Sequence, residues 1–134
     1  MNLFASFLFF FLMTGWMEPS PKVKRAQLGR EFTLHAGEQV LIKEADLKIS
    51  FSQVGEDSRC PTGVKCIWAG NGKVVLKVSR GDAKAVEVEL NTNVEPKQYR
   101  FQDYDIKLSG LNPYPHKDVA IKRGQYVATL LVSK

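Results

Sequence analysis

From Phe32 onward, apolar and polar residues alternate with period two, the pattern of β-strands with one buried face. Phe32 and Leu34 form a first short run, and Val40 and Ile42 a second. Leu47, Ile49 and Phe51 alternate with Lys48 and Ser50; Val74, Leu76 and Val78 alternate with Lys73 and Lys77. Val86, Val88 and Leu90 alternate with Glu87 and Glu89. Tyr99 and Phe101, then Ile106 and Leu108, mark another region, and Tyr126, Ala128, Leu130 and Val132 close the chain. No helical period follows the first residues. The expectation is an all-β domain: a single antiparallel β-sandwich of about seven strands, immunoglobulin-like as one option and a small barrel as the alternative. Glu44–Asp46 and Arg80–Ala83 read as hairpin turns, and Asn91–Asn93 and Leu111–Gly124 as longer loops. In that setting Arg80-Gly81-Asp82 is a turn and not an adhesion tripeptide.

The N-terminus has a different texture. Residues 1–17 carry no charged side chain, and Leu3 to Met13 is dense in Phe and Leu. The run is shorter than the roughly 20 residues of a membrane span and matches the apolar region of a signal peptide, although no basic residue precedes it. No lipid-acceptor cysteine follows it. The expected organisation is a leader at 1–17, a flexible basic linker at 18–30 with Pro19, Pro21, Lys22, Lys24, Arg25 and Arg30, and a β-sandwich domain at 31–134. An exported address, periplasmic or extracellular, follows from the leader, with anchoring through an uncleaved leader as the alternative.

The formal net charge of +5 is scattered among acids, without a basic stripe interleaved with aromatics. That speaks against nucleic acid and for solubility, with attraction to anionic surfaces as the alternative.

Candidate chemistry concentrates in Glu56–Gly70, which holds both cysteines of the chain. An exported chain with two cysteines predicts a Cys60–Cys66 disulfide. By the chain-entropy relation, a seven-residue ring contributes about 2.4 kcal/mol, a local shape-fixer beside a real core. Pro61 and Gly63 would make the ring rigid. It reads either as a structural brace or as a pre-organised recognition loop. A metal pair lacks further ligands, and the spacing is not that of a redox C-x-x-C. Asp57 and Arg59 read as an internally satisfied pair or as a ligand-facing one, and Trp68 as a core residue packed on the disulfide, with an exposed recognition anchor as the alternative.

The run Glu56-Asp57-Ser58-Arg59-Cys60-Pro61, followed by Cys66-Ile67-Trp68-Ala69-Gly70 and later by Pro113-Tyr114-Pro115, resembles the signature of an uncharacterised family of small exported bacterial proteins. The resemblance implies an exported β domain with a disulfide and assigns no activity.

The expected contact residues are Asp57, Arg59, Thr62, Val64, Lys65 and Tyr114, with Tyr114 at the tip of a stiff loop between two prolines. No cofactor and no metal are expected: His35 and His116 are distant in sequence, and no nucleophile elbow accompanies Ser58 or Thr62. The functional expectation is a non-enzymatic binding or structural module of the cell envelope. It would be a monomer with no transmembrane segment once mature, meeting an envelope protein or a cell-wall component. The alternatives are an inhibitor that inserts the Cys60–Cys66 loop into an enzyme, and a hydrolase built on Asp57, Ser58 and Arg59 with a distant histidine.

Overall fold

The structure, a computed structural model, describes residues 23–134. The expected leader at 1–17 and the first part of the expected linker lie outside the described residues. Nine strands follow: β1 Lys24–Ala26, β2 Phe32–His35, β3 Gln39–Ile42, β4 Leu47–Asp57, β5 Gly72–Arg80, β6 Val86–Asn91, β7 Gln98–Phe101, β8 Tyr104–Asn112 and β9 Val127–Ser133. Short 3-10 turns occupy Lys43–Ala45 and Arg123–Gln125. No helix among the described residues is long and apolar enough to cross a membrane.

The strands form two sheets, one of order β1-β3-β4-β5-β6 and one of order β2-β9-β8-β7. They do not close into a barrel. β3 to β6 run as a meander of consecutive antiparallel neighbours, unlike antibody domains, where the chain passes between the sheets after the second strand. The chain crosses between the sheets early instead. β2 leaves to pair with β9, and β3 returns to lie parallel to β1. A linker of residues 18–30 is therefore too long an expectation. Lys24, Arg25 and Ala26 pair with Val40, Leu41 and Ile42, so the sandwich begins before residue 31.

The alternation read from the sequence is what fills the interior. Val40, Ile42, Leu47, Ile49, Phe51, Val74, Leu76, Val78 and Leu90 from the first sheet meet Leu34, Ile106, Leu108, Ala128, Leu130 and Val132 from the second in one apolar cluster. Burying each large side chain contributes about 1.5–3 kcal/mol relative to leaving it in water, which makes this cluster the main source of stability. Val86 and Tyr99 depart from the pattern and are exposed, because each stands at the start of a strand on the edge of its sheet.

β4 shifts register against β5 twice, between Phe51 and Gln53 and between Val54 and Glu56. Such irregularities increase local twist and re-aim the strand end. Here they deliver Asp57 to one end of the sandwich. The β4–β5, β6–β7 and β8–β9 connections all meet at that end.

Candidate functional site

Cys60 and Cys66 are bonded, with Cα atoms 5.9 Å apart. Within the ring, the Val64 N–H donates to the Pro61 carbonyl at 3.3 Å, and Gly63 takes φ +86°. A turn with positive φ at its third residue favours glycine there. The ring is fastened to the β8–β9 connection. Thr62 N–H donates to the Pro115 carbonyl at 3.0 Å, and Lys117 N–H donates to the Thr62 carbonyl at 3.1 Å. The Thr62 hydroxyl also contacts Nδ1 of His116. Both backbone polar groups of Thr62 are thus engaged at the ring's centre.

Beneath the ring lies a charged cluster. Arg59 Nε donates to Asp57 Oδ1 at 2.8 Å, and one terminal Arg59 nitrogen donates to Asp57 Oδ2 at 2.8 Å, a bidentate pair. The same nitrogen donates to the Pro113 carbonyl at 3.0 Å, and the other donates to the Leu111 carbonyl at 2.6 Å. The Tyr126 hydroxyl donates to Asp57 Oδ2 at 2.9 Å. The side chains of Arg59 and Asp57 are only 5% and 12% exposed. Desolvation pushes the Asp57 carboxyl up, but hydrogen bonds from Arg59 and Tyr126 and the guanidinium charge outweigh it and hold the group below its ordinary value. Burial, followed by the hydrogen bond to Asp57 and its negative charge, raises Tyr126.

Glycines let the chain close over this cluster. A Cβ at Gly70 would stand 1.6 Å from the Ser58 carbonyl oxygen and 2.6 Å from Arg59 Cα, so the return limb of the loop lies directly on the outgoing one. Gly72 is similarly enclosed, its Cβ position 2.9 Å from a Leu111 methyl. The β6–β7 connection is drawn in by Asn71, which donates to the Asn91 carboxamide oxygen at 2.9 Å and accepts the Asn93 N–H at 3.0 Å. Thr92 Oγ1 accepts the Gly72 N–H at 2.9 Å. Between the three connections lies an open cavity of about 580 Å³, lined in part by Arg59, Gly70, Asn93, Gly110, Asn112 and Tyr114. The Tyr114 ring lies over the Arg59 guanidinium, 5.3 Å from Cζ to centroid.

The expected contact residues thus occupy three settings. Asp57 and Arg59 form the internally satisfied pair, with Arg59 also bordering the cavity. Thr62 is the ring's fastening, and Tyr114 is a cavity wall. Val64 and Lys65 are exposed on the ring's outer edge. The expectation for Trp68 is overturned: it is 64% exposed and Ile67 95%. The analogy with antibody domains needs a strand at that tryptophan, whereas β5 starts only at Gly72. His116, Tyr126, Thr92, Asn93 and Asn112 are members of this end that the sequence reading did not select as contacts. Tyr126 carried the inward alternation of β9 and His116 followed Pro115, but neither pattern names a partner. The hydrolase arrangement has its histidine beside Thr62, outside the cavity lining, while Asp57 and Arg59 hold one another. Among the described residues, no group of three or more His, Cys, Asp or Glu side chains is placed to hold a metal ion.

No family model, no curated protein and no solved structure matches this chain.

Proposed function

We propose that the chain is an exported, non-catalytic binding module of the cell envelope that meets its partner through the loop end carrying the Cys60–Cys66 ring. One observation carries this reading. Six of the nine large apolar side chains exposed among the described residues, namely Val64, Ile67, Trp68, Val94, Tyr114 and Val119, lie in the three connections at that end. Those connections are bonded to one another through Thr62, Arg59 and Asn71. A surface ordered in advance loses less conformational entropy on association, and an exposed tryptophan is the kind of anchor that interfaces use. The sheet surfaces offer charge pairs instead, such as Lys73 with Glu56 and Glu89.

The same geometry favours a platform over an inserting inhibitor loop. An inhibitor of that kind presents a free extended segment, whereas the centre of this ring is fastened through both backbone groups of Thr62.

The test is site-specific photo-cross-linking. A benzophenone amino acid at Val64 or at Trp68 should yield a discrete adduct in an envelope extract of the source organism. The same probe at Lys77 or Glu87, on strand faces, should not. Equal adduct formation at all four positions, or none at the first two, would remove the loop end as the contact surface.

A further inference from the structure

The cavity between the three connections has a lining that specifies a ligand class; the inference rests on reading this end as a binding surface. One wall is the Tyr114 ring, 46% exposed, with the Arg59 guanidinium against it. Asn93, Asn112 and Thr92 also line the cavity, the Thr92 hydroxyl already accepting the Gly72 N–H and keeping its own proton to donate. Among the described residues, neither of the two asparagine carboxamides is engaged by another side chain or by backbone, so each offers two donors and an acceptor. Gly110, also in the lining, has open space where its Cβ would stand.

Charge narrows the class. Among the described residues, Arg59 is the only charged side chain lining the cavity, and bidentate Asp57 balances it. A phosphate or sulfate group would call for an unbalanced cation, and a divalent metal for carboxylates. A purely apolar ligand would desolvate two carboxamides without replacing their hydrogen bonds. What remains is an uncharged molecule with many hydroxyl or amide groups and one flat apolar face to lie on Tyr114. The volume, about 580 Å³, falls within the roughly 300–1,000 Å³ of small-molecule sites. We propose that this cavity binds a neutral saccharide unit, its C–H face on Tyr114 and its hydroxyls or acetamido group on Asn93, Asn112 and Thr92. Exposure of Asn93, Asn112 and Tyr114 leaves the ligand a way out of the cavity, so the unit can belong to a longer glycan.

Amide NMR of the full chain, titrated with cellotriose, maltotriose and tri-N-acetylchitotriose, tests this, with inorganic phosphate and acetate as anion controls. At least one saccharide should shift Asn93, Gly110, Asn112 and Tyr114 saturably, with half-saturation on the order of 1 mM or tighter. The decisive variant is Gly110→Leu. Gly110 lines the cavity and a Cβ there meets nothing within 4 Å, so a leucine fits without displacing its neighbours and should crowd the cavity. It should weaken saccharide binding at least tenfold while the remaining amide spectrum is preserved. Asn93→Ala should also weaken binding, and Tyr114→Phe should retain it. Shifts produced by the anions and by no saccharide would overturn the proposal, as would undiminished saccharide binding by Gly110→Leu. Persistent cross-linking at Trp68 with no saccharide binding would overturn the saccharide assignment alone; failure of both would overturn the binding-surface reading as well.

Discussion

The Tyr126 hydroxyl donates to Asp57 Oδ2 across 2.9 Å, joining the residue before β9 to the last residue of β4 in the opposite sheet. Asp57 simultaneously receives the fork of Arg59, whose other side-chain bonds reach the carbonyls of Leu111 near the end of β8 and of Pro113 just beyond it. Two sheets packed mainly through apolar side chains are thus clamped at this end by a polar cluster. This is the end where the ring, the cavity and the exposed apolar residues lie, so the clamp orders the candidate binding surface as well as the sandwich.

A pH dependence follows from the clamp. The folded pKa of Asp57 lies below its unfolded value of about 3.9, so its contribution is present above that pH and is lost as pH falls through the folded value. The folded pKa of Tyr126 lies above its unfolded value of about 10, so its contribution is present below pH 10 and is lost as pH rises through the folded value. Urea unfolding across pH should show a plateau bounded by both limbs. Tyr126→Phe should shallow the alkaline limb and Asp57→Asn the acid limb. An alkaline limb unchanged by Tyr126→Phe would sink the assignment.

Removing one partner of the buried pair should cost more than removing the tyrosine hydroxyl. Arg59→Ala leaves Asp57 without its counter-charge and the Leu111 and Pro113 carbonyls without their donor, an expected loss of about 3–5 kcal/mol. Tyr126→Phe removes one hydrogen bond to a charged acceptor, about 1.5–3 kcal/mol, toward the lower figure because Arg59 still holds Asp57. Chemical denaturation of both variants gives the comparison. A milder effect from Arg59→Ala would show that the guanidinium is dispensable to the clamp.

Two glycines at the site should respond oppositely to alanine. Gly70→Ala places a methyl 1.6 Å from the Ser58 carbonyl oxygen, where only backbone can yield, and should destabilise by more than about 2 kcal/mol. Gly110→Ala points into open space at an ordinary backbone angle and should lie between neutral and about 1 kcal/mol stabilising. Thermal melts of the pair test whether the close approach of the loop limbs is real; equal melting temperatures would argue that it is not.

The sandwich was legible because its strands bury one face each, and alternation records that directly: Leu47, Ile49 and Phe51 or Ala128, Leu130 and Val132 announce themselves. β1 was not legible. Lys24, Arg25 and Ala26 join their sheet by pairing with β3 and show no apolar alternation. Nor could local pattern show which strand joins which sheet. At the site, the ring and the Asp57–Arg59 pair were visible as neighbours in sequence. The bonds that give the end its shape were not, since Thr62 meets His116 across 54 positions and Arg59 meets Leu111 across 52. The cavity is a product of those contacts; of its carboxamides, Asn93 sits in a loop whose text marks only a turn, and Asn112 ends β8 where the alternation has already stopped.

The disulfide should brace the ring and not decide the fold. Its contribution of about 2.4 kcal/mol is small beside the 5–15 kcal/mol typical of a domain, and backbone bonds from Thr62 to Pro115 and Lys117 also hold the ring. A Cys60→Ser/Cys66→Ser variant should still unfold cooperatively, by roughly 2 kcal/mol less. Absence of any cooperative transition would make the disulfide the principal staple.

Trp68 gives the most direct optical check on the loop end. The chain holds two tryptophans, Trp16 and Trp68, so Trp16→Phe isolates the second. A residue 64% exposed, next to one 95% exposed, should emit at long wavelength and be quenched readily by iodide. Binding of a partner over the ring should shift that emission to shorter wavelength and protect it, because association buries the indole. Trp68→Ala should leave stability within about 0.5 kcal/mol, since few contacts are lost at such a site. It should also weaken partner binding, with the fold intact. Short-wavelength, iodide-resistant emission from the free protein would place Trp68 inside the sandwich. It would also withdraw the indole from the anchors of the contact surface.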